Sequence, residues 1–160
     1  MITFAFTMAN TYTKIYLHII FAVKNRYDLM PPHWQKIIHG YMAQALRNMG
    51  HFPIAVGGTD DHVHILIDYN PANPLPDMVK DLKVGTTKFI RQQHMTPFMF
   101  KWQRGYACFS YSHSQIHTVA NYINNQTEHH KGHTLQDEIK YILERFGIEY
   151  DEKFIFTTPE

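Results

Sequence analysis

The sequence is poor in several features that define whole classes of protein. A single cysteine, Cys108, among 160 residues excludes an internal disulfide and is typical of a reducing compartment. No apolar run approaches the ~20 residues that a membrane-spanning helix requires. The first ten residues, MITFAFTMAN, lack the charged start and long apolar stretch of a secretory signal. We therefore expect a cytoplasmic protein without a membrane segment, with residues 1–10 as a poorly ordered lead-in.

The net charge is also small. Charged residues make up 18% of the chain and the net charge is +1, so any surface for nucleic acid must be local. The apolar content of 44% is ordinary for a globular protein and argues against extensive disorder. The length predicts one domain spanning residues 1–160, in which residues 131–160 form a C-terminal helical tail.

The spacing of apolar residues predicts strands alternating with helices. The order strand, helix, strand, strand, helix, strand is the ferredoxin-like pattern, βαββαβ. We therefore expect an α+β fold, in which an antiparallel sheet carries helices on one face and additional C-terminal helices follow. The predicted strands are 11–26, 52–69 (two strands around the turn Gly57–Asp60) and 105–112, and the predicted helices are 32–49, 75–93, one starting at Ser112, and 134–148.

The stretch TDDHVHILID, residues 59–68, places two histidines in an otherwise apolar strand. Alternation puts His62 and His64 on one face, with Val63 on the other. Residues two apart lie roughly 6.5–7 Å apart along a strand, so both imidazoles can lean toward one divalent ion. Spacing alone leaves a second interpretation open, that of two polar side chains on a half-exposed face. A histidine-triad nucleotide hydrolase is excluded, because the position of its third histidine is Leu66.

Three stretches together carry a family resemblance. DHVHILI, KWQRGYACFS and VANYINNQTEHH follow one another in the order and approximate spacing of the single-tyrosine HUH transposases, small DNA transposases of simple bacterial insertion sequences. The resemblance covers roughly residues 11–130. It implies that His62 and His64 bind a metal ion, that Gln126 is the third ligand, and that Tyr122 of the Y-x-x-x-Q pattern is the nucleophile.

The resemblance also implies the partners of the protein. The ion is Mg²⁺ or Mn²⁺, and the substrate is single-stranded DNA that carries an imperfect hairpin. The protein is an obligate homodimer, in which two chains can share their active sites. The products of cleavage are a 5′-phosphotyrosine and a free 3′-OH, which a different 3′-OH then resolves by strand transfer.

The residue types suit this chemistry. Tyr122 and Gln126 are four apart, which places them on the same side of one helix. A phenol with a pKa near 10 is a poor nucleophile at neutral pH unless a cation polarises the phosphate. Three protein ligands leave coordination positions for that phosphate. Because one phosphodiester is exchanged for another, no nucleotide cofactor is needed. The sequence therefore predicts a transposase, that is, a metal-dependent single-strand DNA endonuclease and strand transferase.

Basic residues of the second predicted helix fall within roughly 140° of one face at 100° per residue. Such a face can follow a DNA backbone, although an ordinary solvated face has the same pattern. The predicted DNA-binding residues are Lys80, Lys83, Lys88, Arg91, Lys14, Arg104 and Trp102.

Three other functions stay open at this stage. One is a domesticated relative, a tyrosine transposase or nuclease that acts on dispersed genomic repeats. Another is a non-catalytic DNA-hairpin-binding module, which would have no need of Tyr122, Gln126 and both histidines. The last is a small zinc hydrolase, for which the nearest carboxylates in sequence are Asp61 and Asp68.

Overall fold

A computed structural model of the chain describes residues 10–25, 28–97, 99–129 and 132–156. Apart from Asn10, the predicted lead-in lies outside these residues. None of the helices in the described part of the chain is long and apolar enough to cross a bilayer. The elements are β1 (Tyr16–Ala22), α1 (Pro32–Asn48), β2 (Phe52–Gly58), β3 (His62–Asp68), α2 (Leu75–Gln92), β4 (Ala107–Tyr111), α3 (Ile116–Asn124), α4 (Gln126–His129) and α5 (Leu135–Arg145), with short 3₁₀ turns at His113–Gln115 and Glu152–Phe154.

The four strands form one sheet in the order β2-β3-β1-β4, and every neighbouring pair is antiparallel. This order and the element sequence confirm the predicted ferredoxin-like α+β fold. The first strand is shorter than the predicted 11–26, because its pairing with β3 runs only from Tyr16 opposite Asp68 to Ala22 opposite His62.

Alternation along the strands divides the core between the two faces of the sheet. Ile19 and Phe21 of β1 point into a large core with α1 and α2. Ile20 and Ala22 point to the other face, where α5 covers them. Leu66 of β3 lies on that second face too, packed against α3. The C-terminal helices therefore cover the face of the sheet that carries the paired histidines.

The helix predicted at 134–148 is α5, which is tightly specified at its start. The Thr134 hydroxyl accepts the backbone N–H of Asp137 at 3.2 Å, and the Asp137 carboxylate accepts that of Thr134 at 3.2 Å. Such a reciprocal cap satisfies two otherwise unpaired donors at the helix start. Leu135, Ile139 and Ile142 then pack against the sheet, and each buried side chain of this size contributes about 1.5–3 kcal/mol. Helix α5 is thus part of the core.

The predicted third helix does not run unbroken through Tyr122 and Gln126. Helix α3 ends at Asn124, and Asn125 leaves the helical region with φ −112° and ψ 26° before α4 begins. The prediction of one continuous helix is therefore wrong. The two residues nevertheless stay adjacent, since the Gln126 amide donates to the Tyr122 carbonyl at 3.4 Å.

Gly57 of β2 sets how closely α3 approaches the sheet. A Cβ at this position would lie 2.5 Å from the carbonyl oxygen of Ile123. We expect Gly57→Ala to lower the free energy of unfolding by about 1–3 kcal/mol, as overpacking does elsewhere. The matched control is Gly40→Ala in α1, where a Cβ meets nothing within 4 Å. This change should raise the free energy of unfolding by about 0.5–1 kcal/mol, because alanine is favoured over glycine inside a helix. Urea unfolding measures both, and equal stability of the two variants would contradict this packing.

Candidate active site

The two histidines of β3 are fully enclosed. His62 and His64 each have 0% of their surface exposed, and their rings lie 5.0 Å apart at 72°. The half-exposed alternative is therefore wrong. Polar rings buried this deeply need hydrogen-bond or metal partners to offset the loss of water.

The Nε2 atoms of both rings meet a carboxylate from α5. His64 Nε2 lies 3.2 Å from one oxygen of Glu138, and His62 Nε2 lies 3.7 Å from the other. Gln126 lies beside them, with its amide oxygen 3.2 Å from His62 Nε2 and its amide nitrogen 3.4 Å from Glu138. The ligand atoms of His62, His64 and Glu138 all lie within 4.8 Å of one another. Two imidazoles, an amide oxygen and a carboxylate thus converge, which is a donor set suited to a divalent cation.

Glu138 is the member of this cluster for which burial without a cation is most costly. Its side chain is only 8% exposed, and burial is the main cause that raises the pKa of its carboxyl to about 7. A positive ion among these ligands would compensate the desolvated carboxylate. The residues present therefore fit the metal that the resemblance implies.

The outer nitrogens of the two rings are held by separate partners. Asp61 lies 2.6 Å from His62 Nδ1, so the ring donates there and leaves Nε2 as a lone-pair donor. Asp61 also accepts the Thr59 hydroxyl at 3.0 Å. His18 Nε2 lies 2.7 Å from His64 Nδ1, and the two rings stack at 5.0 Å. This arrangement, in which a second residue orients each imidazole, is typical of metal-binding histidines.

His18 acts as a neutral link in this arrangement. Burial, and then the charge of His64, lower the pKa of His18 well below its usual range. A neutral His18 can accept from His64 Nδ1 while its own Nδ1 faces the Tyr111 hydroxyl at 3.4 Å. With these tautomers, the Nε2 atoms of both rings would present lone pairs to a cation.

Tyr122 stands beside the histidines of its own chain. Its ring centre lies 5.8 Å from that of His64, edge-on at 86°. Val119 and Ile123 of α3 anchor the helix on Ala55 and Leu66 of the sheet. The Tyr122 ring therefore lies beside His64 within one subunit.

Three of the residues around this site escape the sequence reasoning. Glu138 was not identified, although it interrupts the apolar stripe of Leu135, Ile139 and Ile142 on the same helix face, which is a usable signal. His18 gave no local signal, since its partner is on another strand. The sequence suggests Asp61 only as a carboxylate ligand or base of a hydrolase, whereas in the structure it orients His62.

Most of the predicted basic residues meet along one open groove on the α1/α2 side of the sheet. The groove is bordered by α2 and the segment 100–106, and the predicted residues that line it are Lys80, Lys83, Lys88, Arg91, Arg104 and Trp102. Lys14 is not among its lining residues, and its ammonium pairs with Asp68 at 2.7 Å.

Several groove residues also hold the fold together. The Lys83 ammonium donates to the carbonyls of Gln103 at 2.9 Å and Gly105 at 2.5 Å, and burial lowers its pKa to about 8. Arg91 donates to the Phe100 carbonyl at 2.8 and 3.1 Å. Trp102 packs edge-on against core aromatic rings. Lys80, Lys88, Lys101 and Arg104 are exposed.

We expect Asp61→Asn to weaken Mn²⁺ binding by about 10–100-fold, because loss of the carboxylate frees the His62 ring to rotate or change tautomer. Isothermal titration calorimetry with Mn²⁺ measures the affinity directly. Asp68→Asn is the matched control, since Asp68 pairs with Lys14 at the surface. Equal Mn²⁺ affinity of Asp61→Asn and wild type would contradict the orienting role of Asp61.

Comparison with known proteins identifies the family of this chain. The family described as "Transposase IS200 like" matches residues 11–126. A comparison with curated proteins finds no significant match. One similar solved structure is a candidate transposase from Deinococcus radiodurans R1, with TM-score 0.55, 22% identity, and coverage of 74% of this chain and 95% of that one.

A second similar structure is a REP-associated tyrosine transposase bound to a REP hairpin. Its TM-score is 0.57 at 12% identity, and the match covers 95% of this chain and 92% of that one. At such identities both structures show a shared fold. The family match over residues 11–126 is more specific, and by it the chain belongs to the IS200-like transposases, a family of DNA-cleaving enzymes.

Proposed function

We propose that this protein cleaves and rejoins single-stranded DNA at hairpin-bearing sites, with Tyr122 as the nucleophile. The observation that carries the proposal is the position of the Tyr122 ring, 5.8 Å from that of His64 and next to a buried cluster of metal-ligand atoms. Family membership supports the reaction class.

His62, His64, Gln126 and Glu138 would hold the metal ion. The two oxygen donors among them favour Mg²⁺ or Mn²⁺, hard ions that accept such ligands. When bound, the ion polarises the scissile phosphate and neutralises part of its charge. Glu138 adds a full negative charge to the three-ligand set that the sequence predicts, and this charge should strengthen cation binding.

In this proposal, Tyr122 carries out the nucleophilic attack. Its phenolic oxygen forms a bond to phosphorus as the bond from phosphorus to the 3′ oxygen breaks. The phenol loses one proton and the departing 3′ oxygen gains one, so the exchange is balanced without a nucleotide cofactor. The product is a 5′-phosphotyrosine. Attack by a different 3′-OH reverses the step and joins new DNA ends.

The groove along α2 is proposed to bind the hairpin stem. Its exposed cations can contact phosphates at any sequence, as non-specific backbone binding requires. The REP hairpin in the structurally similar transposase supports a hairpin ligand. The segment 100–106 leads directly into β4, the edge strand of the sheet. A single strand that leaves the groove can therefore round this edge toward Tyr122.

The homodimer that the resemblance implies remains part of the proposal. However, the Tyr122 ring lies 5.8 Å from that of His64 in its own subunit. We therefore propose cleavage by each subunit with its own tyrosine.

A role on dispersed genomic repeats is the second candidate. The observation in its favour is that the match to the REP-associated transposase covers 95% of this chain, including α5, whereas the other structural match covers 74%. Genomic surroundings separate the two roles, because a mobile element has hairpin ends flanking the gene and a domesticated enzyme has scattered repeats.

The central prediction is a covalent protein–DNA adduct. Wild-type protein with Mg²⁺ or Mn²⁺ should cleave a hairpin-bearing single strand from the DNA flanking the gene and migrate with it on a denaturing gel. Tyr122→Phe should give no adduct, because it lacks the attacking oxygen. His64→Ala should lose cleavage but keep hairpin binding.

Tyr12→Phe is the control for the adduct assay, since Tyr12 is 78% exposed and lies far along the chain from the site. It should form adduct like wild type. An equal adduct yield from Tyr122→Phe would reject Tyr122 as the nucleophile. Metal-dependent hydrolysis without any adduct would instead favour a zinc hydrolase, for which Glu138 supplies the missing carboxylate.

The groove assignment predicts a salt effect. Lys80→Gln combined with Lys88→Gln should weaken hairpin binding at every sequence and reduce the slope of log K against log salt by about 1.5, since two phosphate contacts are lost. Fluorescence anisotropy at several salt concentrations measures the slope. Lys36→Gln, an exposed change on α1, is the control. An unchanged slope in the double variant would place the DNA elsewhere.

A further inference from the structure

A second cavity opens directly beside the candidate nucleophile. It lies between α3 and α5 at the end of β4 and has a volume of about 450 Å³. This size falls within the range of small-ligand pockets in proteins. Its walls include Tyr111, Tyr122, Tyr141, Arg145 and Phe146.

The cavity is unusually aromatic for a surface feature. Tyr141 and Phe146 are 59% and 43% exposed, although large aromatic side chains are usually mostly buried. The Phe146 ring packs against two neighbouring rings, stacked on Phe109 at 5.0 Å and edge-on to Tyr111 at 5.9 Å. A partly exposed ring that is packed on one side can serve as a platform for a flat ligand.

A positive charge accompanies the aromatic rings. The Arg145 guanidinium lies 5.6 Å from the centre of the Tyr141 ring and donates to its hydroxyl at 3.1 Å. Arg145 is exposed, so further donors of its guanidinium face solvent. Flat stacking surfaces next to a cation match a nucleotide, which joins an aromatic base to a phosphate.

One face of α5 connects this cavity to the metal-ligand cluster. Glu138, Tyr141, Ile142 and Arg145 follow one another at helical spacing, so they lie along one side of the helix. Glu138 contacts both histidines, and the other three residues line the cavity. All four lie beyond residue 126, where the family match ends.

We propose that this cavity binds a nucleotide adjoining the scissile phosphate. Its base stacks on Phe146 and Tyr141, and Arg145 contacts its phosphate. The inference rests on the proposed function, because Tyr122 is the wall shared by cavity and active site. Base–aromatic stacking is sequence-tolerant, so the cavity positions the strand for attack more than it reads sequence.

The test starts from the cleavage position that the wild-type adduct defines. A 2-aminopurine base is placed at each nucleotide around that position in a hairpin-bearing single strand. Binding to Tyr122→Phe protein, which does not cleave, should quench the fluorescence at a position next to the scissile phosphate. Adding Phe146→Leu or Tyr141→Leu to that protein should remove the quenching, while the affinity for a hairpin that lacks the cleavage-site nucleotides should stay unchanged.

Cleavage by the single variants provides the second readout. Phe146→Leu, Tyr141→Leu and Arg145→Gln should each slow adduct formation by about tenfold or more, from the size of a lost stacking or phosphate contact. An abasic site at the quenched position should slow wild type to a similar degree. It should slow Phe146→Leu no further, because that variant has already lost the stacking contact with the base. Phe154→Leu, which changes an aromatic side chain that is 87% exposed outside the cavity, is the control.

Failure of this inference is distinguishable from failure of the proposed function. If wild type forms adduct while the cavity variants cleave and quench normally, the cavity has no role in nucleotide binding. The same conclusion follows if the abasic and Phe146→Leu losses simply multiply. If no DNA yields an adduct with wild type, the proposed function itself fails.

Discussion

The structure depends on a buried carboxylate that faces two buried imidazoles. Glu138 oxygens lie 3.2 and 3.7 Å from His64 and His62, and neither ring has any exposed surface. Groups of this kind are costly to bury unless each is paired or binds a cation. Both outer nitrogens are accordingly held, by Asp61 and by His18. The capped start of α5 and its apolar contacts with the sheet bring the carboxylate to this position.

Alternation along the strands separates two tasks. One face of the sheet packs on α1 and α2, whose outer surface carries the basic groove. The other face carries the histidines, Tyr122 and the aromatic cavity. The edge strand β4 lies between them, since the groove segment 100–106 leads into it and Tyr111 at its end lines the cavity. Stem binding and strand cleavage can thus occupy opposite sides of one small sheet.

Local patterns in the sequence predicted the strands, the helices and the histidine pair, because alternation and helical spacing are local properties. They place Glu138 on the apolar face of α5, but its contact with the histidines depends on α5 docking on β1 and β4 through long-range packing. Helical spacing overextended the third helix, which breaks at Asn125, a residue whose side chain hydrogen-bonds the backbone of Asn121. The sequence shows the basic face of the second helix. It does not show that Lys83 and Arg91 donate hydrogen bonds to backbone carbonyls.

The most direct test of this account is the coordination of Mn²⁺ in solution. Electron spin-echo spectroscopy of Mn²⁺-loaded protein detects nitrogens bound directly to the ion. The account predicts two coordinated imidazole nitrogens in wild type, one in His64→Ala, and unchanged nitrogens but weaker Mn²⁺ binding in Glu138→Gln. Mn²⁺ bound without any imidazole nitrogen in the wild-type spectrum would contradict it.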